Sequence, residues 1–271
     1  MMVILFVIVL YKCQYHDCKS YRTLISKSDK NHVFIYDNSP DPQSVTDLNV
    51  TYIHDPTNRG ISHAYNVAAD YARRQNYDWL LLMDQDTTFS EGIMDDYLGH
   101  IFSHPEVRLF VPPVRVDSLF YMSPVKLFWK FGFLSKCIPS GQVISLYDYS
   151  PINSGMCISV DAFFECGGYN ENVFLDYSDY QFIERFRKRY SNCYVLETCV
   201  YQDFSVVVDN RDKSMKRLVM FCKSLKHFER NSILDSLGID LVVIKRSLSL
   251  MVKYCLLYTS PSPRDRSVPR M

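Results

Sequence analysis

The chain has 271 residues, 47% of them hydrophobic and 22% charged, with thirty basic and thirty acidic side chains. That length closes a full core, as one domain or as one domain with an appendage. A net charge of zero gives no electrostatic case for a nucleic-acid partner, and nine cysteines with no CxxC pair or Cys/His cluster argue against a zinc module.

The apolar opening, Met1 to Leu10, lacks a basic leader and a small-residue cleavage site and is too short to span a bilayer. Val3 to Leu10 predicts a strand covered on both faces, and a polar, helical stretch follows. Val33 to Tyr36 predicts a second strand, ending in the turn chemistry of Asp37-Asn38-Ser39-Pro40, and Val50 to Ile53 a third. Asn58-Arg59-Gly60 breaks the chain and Ser62 is the expected cap of a helix. In that helix Ala64, Val67, Ala68, Tyr71 and Ala72 form one buried stripe. Trp79 to Met83 is another apolar strand, halted by Asp84.

This alternation belongs to an α/β sheet, where ligands bind beyond the carboxyl ends of the strands. Tyr11-Lys12, Asp37-Asn38 and Asp84-Gln85-Asp86 should therefore converge on one crevice. Residues 112–150 are aromatic-rich without a clear period and predict a long excursion over the sheet. Ile152 to Val160 reads as a strand, Asp161 to Cys166 as a short helix, and Asp179 to Tyr190 as a helix burying Phe182, Ile183 and Phe186.

After Asn210 the sequence turns basic and helical: residues 211–254 hold ten Lys/Arg against four Asp/Glu. A basic segment with apolar neighbours is expected either to lie against anionic lipid or a charged partner, or to be a solvated helix face. No stretch offers about 18 uninterrupted apolar residues, and scattered thiols fit a reducing compartment. The expected location is cytoplasmic, with peripheral contact at the inner face of the cell membrane as a further expectation. Residues 255–271 resemble a translated sequencing adapter and are set aside as non-native.

Asp84 and Asp86 sit two apart at the mouth of a buried strand, so both carboxylates can face one hard divalent cation, which can bridge a diphosphate. Equally, a strand-to-loop transition favours aspartate by itself. Asp37 ends a neighbouring strand, either to accept hydrogen bonds from a base or ribose or to form the turn. Arg59 precedes a helix N-terminus, where it could contact phosphate or remain a solvated loop charge. Asp176 and Asp179 precede an amphipathic helix, as caps or as a general base for an acceptor hydroxyl.

Taken in order, Val9-Leu10-Tyr11, Tyr36-Asp37-Asn38-Ser39, Asn58-Arg59-Gly60-Ile61 with Ala64 and Asn66, and Leu81 to Thr87 resemble family 2 glycosyltransferases, in particular the rhamnosyltransferase-like branch. Ile152-Asn153-Ser154-Gly155-Met156, Gly167 to Glu171, Phe174 to Asp179 and Arg230-Asn231 extend the resemblance. It implies the GT-A fold, a Rossmann-like, mostly parallel central sheet flanked by helices, here with a C-terminal helical extension. The expected limits are residues 1–210 for this domain and 211–254 for the extension. The resemblance further implies a metal-dependent, inverting transfer of a sugar from a nucleotide-diphosphate donor to a glycan or lipid-linked glycan acceptor, in cell-surface polysaccharide synthesis. It places Tyr11 and Asp37 at the base and ribose, Asp84 and Asp86 on Mg²⁺ or Mn²⁺ at the diphosphate, and the base at Asp179, with Asp176 in support. Ser178 stands where an acid is common. The histidine that often completes the metal site is missing from Tyr201-Gln202-Asp203-Phe204-Ser205, so Gln202 or Asp203 would have to substitute. The competing functions are a nucleotidyltransferase, which would want a glycine-rich loop after the first strand, and a non-catalytic sugar- or partner-binding domain.

Overall fold

The computed structural model describes residues 2–25, 31–116, 119–202 and 211–259, the last five of these by backbone only. In chain order the strands and helices begin with β1 (Ile4–Leu10), β2 (Val33–Asp37), β3 (Val50–His54), α1 (Ile61–Arg74), β4 (Trp79–Asp84), β5 (Thr87–Phe89) and α2 (Ile93–Ser103). There follow β6 (Leu109–Val111), β7 (Val114–Arg115), β8 (Tyr121–Phe128), β9 (Phe131–Ser135), β10 (Gln142–Ser145), β11 (Tyr149–Ser150) and β12 (Met156–Ser159). The remainder is α3 (Val160–Glu165), α4 (Ser178–Phe186), β13 (Asn192–Val195), β14 (Val200–Gln202), α5 (Arg211–Lys226) and α6 (Ile233–Thr259).

The large sheet runs in the order β10-β13-β6-β12-β4-β1-β2-β3. The block β4-β1-β2-β3 is parallel, and β12 joins β4 antiparallel. Alternating side chains of β1 serve two different cores: Leu5 and Val7 pack on the α1 side, Ile4, Phe6, Ile8 and Leu10 on the α2 side. Burial on both faces is why these strands read as unbroken apolar runs rather than as alternation. Alanines 64, 68, 69 and 72 of α1 are fully buried, and their small size lets the helix lie close to the sheet.

The polar stretch after β1 is helical in its described residues, as a 3₁₀ turn (Tyr15–Asp17) and a π turn (Tyr21–Ile25). Two expectations need correction. Residues 112–150 supply β7, β8, β9 and β11, which join β14 and β5 in a second sheet, β11-β8-β7-β14-β5 with β9 beside β8, while β10 edges the large sheet. Ser62 is not the cap of α1; Gly60 is, at φ +89°. A Cβ there would strike the carbonyl of Phe174, so glycine meets both the backbone angle and the close approach. Ser62 instead donates to Val173 O at 2.6 Å, and Ile61 N–H donates to Phe174 O at 3.1 Å.

α5, α6 and the turn between them pack against Phe131, Tyr177 and Tyr180 over a small separate core: Phe221, Leu225, Phe228, Ile239 and Val242. α6 runs five residues into the adapter-like stretch; residues 260–271 lie outside the described residues. Among the described residues no helix is long and apolar enough to cross a membrane.

Candidate active site

At the carboxyl ends of β1 and β4 a cleft of about 740 Å³ opens, walled opposite by residues 174–180 and by α5 and α6. Tyr11, Asn38, Asp84, Gln85, Asp86, Asp176, Asp179, Gln202, Arg217 and Arg246 all line it. The three strand-end clusters do converge, although the second contributes Asn38 in place of Asp37.

Asp84 closes β4, and its carboxylate accepts from the hydroxyls of Ser154 and Tyr65 and from the side-chain amide of Gln202. Burial, reinforced by the neighbouring charge of Asp86, pushes its carboxyl up to about 6 against the pull of those donors. Gln202 Nε2 also donates to Asp86 Oδ1 at 3.1 Å, so one amide bridges both acids. Gln85 fixes the loop: its Oε1 accepts from Tyr11 N–H at 2.9 Å, and its backbone carbonyl from Lys19 N–H at 2.9 Å. Ser154 is held in place because Gly155, at φ +84°, turns the chain where a Cβ would meet Pro112 Cγ at 2.6 Å.

These groups suit a hard divalent cation. Two crowded carboxylates, one driven toward its protonated form by burial and by the other's charge, form a hard oxygen-donor pair. Gln202 adjoins both acids; turning its amide would replace the NH₂ facing them with Oε1. Asp203, the other expected substitute, lies outside the described residues.

Asp179 stands in the first turn of α4, after Tyr177 in the left-handed conformation, and accepts its neighbour Tyr180's N–H at 2.8 Å. Burial, with smaller repulsion from Asp84 and Asp176, pushes its carboxyl up to about 7. Asp176 behaves differently: Arg217 reaches its Oδ1 at 3.1 Å and Arg246 its Oδ2 at 3.0 Å. Among the described residues the cleft thus holds four carboxylates and two guanidiniums, the latter both supplied by the C-terminal helices.

Two expected ligands stand off the cleft. Asp37 is fully buried and accepts from Ser39 N–H, Gln43 Nε2 and Tyr52 OH at 2.7–2.9 Å. Those donors hold its carboxyl below the usual range despite burial, and its visible work is to shape the loop carrying Asn38. Arg59 pairs with Asp55 at 3.1 Å, while the N-terminus of α1 is engaged by the carbonyls of residues 173 and 174. The sequence pattern singled out neither Tyr65 nor Arg217 and Arg246, and named Asn38 only as the neighbour of Asp37. The arginines appeared only as surplus charge, since nothing local to 211–254 announces a partner at residue 176.

Among the described residues a separate acid–imidazole group, Asp96, His100 and Glu197, joins α2 to the turn after β13. His100 Nε2 lies 3.0 Å from Asp96 and 2.8 Å from Glu197, and none of the three lines the cleft.

The sequence profile of the family described as Glycosyl transferase family 2 matches residues 18–164. No curated protein matches by sequence. Among solved structures, S. aureus TarS 1-349 superposes with a TM-score of 0.50 at 11% identity, over 92% of this chain and 72% of that one. The complex of TarS 1-349 with UDP-GlcNAc gives 0.53 at 12% identity, over 92% and 73%. The longer TarS chain gives 0.52 at 12% identity, with 44% of its length covered. At such identities the likeness is one of fold, the GT-A arrangement of a mixed α/β sheet flanked by helices.

Proposed function

Because the chain belongs to glycosyl transferase family 2, we propose that it moves a hexosyl or deoxyhexosyl group, with inversion, from a nucleotide-diphosphate donor to a hydroxyl of a glycan or lipid-linked glycan. A place in cell-surface polysaccharide synthesis fits that acceptor, and the UDP-GlcNAc complex of a protein of like fold supports a nucleotide-sugar donor. One observation carries the reading. Asp84 and Asp86 at the sheet edge face the same cleft as Asp179, a carboxyl poised near neutrality.

In this mechanism Tyr11 and Asn38 flank the nucleoside end of the cleft. Asp84, Asp86 and the turned amide of Gln202 are the groups that would hold Mg²⁺ or Mn²⁺. When bound, the cation neutralises the leaving diphosphate. Asp179 takes the proton of the acceptor hydroxyl as its oxygen attacks the anomeric carbon, while the bond to the diphosphate breaks on the opposite side. A carboxyl titrating near 7 holds a proton well enough to draw it from a hydroxyl, yet is largely ionised at pH 8. Arg217 and Arg246 fix Asp176, and with it the short segment that carries Asp179.

The test is transfer from a panel of nucleotide-sugars by purified protein. Asp179→Ala should lose about 10²–10⁴-fold in kcat, the usual worth of a general base, while still binding donor. Asp84→Ala should lose metal-dependent donor binding. Turnover at the parent rate in Asp179→Ala would remove the base assignment, and unchanged metal dependence in Asp84→Ala the ligand assignment.

A further inference from the structure

The longest helix, α6, has two faces of different character. Ile239 and Val242 are buried against α5, Asp235 pairs with Lys130 at 3.1 Å, and Arg246 reaches Asp176 in the cleft. The opposite face carries Leu234, Leu237, Leu241, Ile244, Leu248 and Met251, each 43–66% exposed. Their spacing alternates three and four residues without interruption, which is the a and d pattern of a heptad repeat. Helices that keep only a broad apolar stripe toward a core have no need of this 3.5-residue period.

Here we propose that this seam pairs with the same seam of a second copy, as a parallel two-helix coiled coil. Three features select that occupant. First, the period itself calls for a helix of equal period, with side chains interlocking knob into hole. Second, the charges flanking the seam are complementary in that register. Asp240 falls at a g position and Lys245 at the e position five residues on, so each Asp240 faces the other copy's Lys245 across the seam. Asp240 already meets Arg230 at 3.1 Å, and Lys245 lies over the Phe131 and Phe133 rings at 5.1–5.3 Å, so both charged groups stand beside the apolar strip. Third, the area suffices. With Ile233 and Val252 on its margins the strip exposes roughly 900 Å² per copy, close to the approximately 800 Å² each partner gives to a standard interface.

A lipid surface is the competing occupant, and the flanks argue against it. An interfacial helix lines its apolar face with several cations, whereas this seam has one acid and one lysine. Arg217 and Arg246, part of the basic surplus of residues 211–254, are already engaged with Asp176.

Sedimentation of the full chain across the micromolar range tests the proposal. The expected result is a concentration-dependent dimer, with association at least 10-fold weaker in Leu241→Glu/Leu248→Glu at parental helicity by circular dichroism. Should that variant fail to fold, charge reversal decides. Asp240→Lys should weaken the dimer, and adding Lys245→Asp should restore it. Mild oxidation of Leu234→Cys should give a 234–234 crosslink identifiable by peptide mass, which an antiparallel pairing, setting 234 against 251, would not. A monomer at every concentration, or a dimer indifferent to these substitutions, overturns the proposal. So does a monomer that binds phosphatidylglycerol vesicles through Leu241 and Leu248, which would give the seam to lipid.

Discussion

Asp84 and Asp179 each hold a proton more tightly in the folded cleft than in the unfolded chain, with carboxyls raised to about 6 and about 7. Two consequences follow, of opposite value to the protein. For catalysis, the base must be ionised, so the transfer rate should climb as pH rises through about 7 and then level off; a pH–rate profile of kcat reads this directly. For stability the sign is reversed. Between the unfolded value near 4 and the folded values, the native state binds more protons, so stability falls as pH rises through this window. Asp179→Asn should therefore raise Tm at pH 8 by a few degrees while abolishing transfer, a comparison made by thermal scanning of the two proteins. Divalent cation should raise the Tm of the parent and leave that of Asp84→Ala nearly unmoved.

Among the elements, legibility followed the range of the interaction. β1, β2 and β4 could be read because double-sided burial leaves a continuous apolar run, and the aspartates closing β2 and β4 stand beside that signal. Strand ends alone brought Asp84 and Asp86 to the crevice, whereas Asp179 joined them through the family resemblance, because a helix start by itself reads equally as a cap. The second sheet stayed hidden since its strands are short and unevenly buried: in β8, Ser123 to Val125 are covered while Lys126 and Phe128 are exposed. Ser62 illustrates another failure. Local chemistry nominates it as a cap, but the carbonyl of Val173, over a hundred residues away, claims its hydroxyl. Ser154 shows how an element supports a site: Ser154→Ala leaves Asp84 short of a donor inside a buried wall. We expect its carboxyl to rise further and the apparent metal affinity to drop about 10-fold, as for other groups that orient metal ligands. Metal titrations monitored by donor binding would measure this.

On the scale of the whole molecule, the boundary expected at residue 210 divides the sequence but not the cleft, because Arg217 of α5 and Arg246 of α6 line it. Releasing Asp176 with Arg217→Ala/Arg246→Ala should lower kcat/KM for transfer about 10-fold and leave the far-UV spectrum intact, as expected of partly exposed pairs whose work is positioning rather than stability. The five-residue core beneath α5 and α6 has one more consequence. It is small beside the two cores that clasp the large sheet, so this pair of helices should open at a lower free energy than the rest. In rising urea, transfer would then vanish while the sheet is still closed, and amide hydrogens of 211–254 would exchange well before those of β1 and β4. The protein would lose its chemistry by opening one wall, long before it loses its fold.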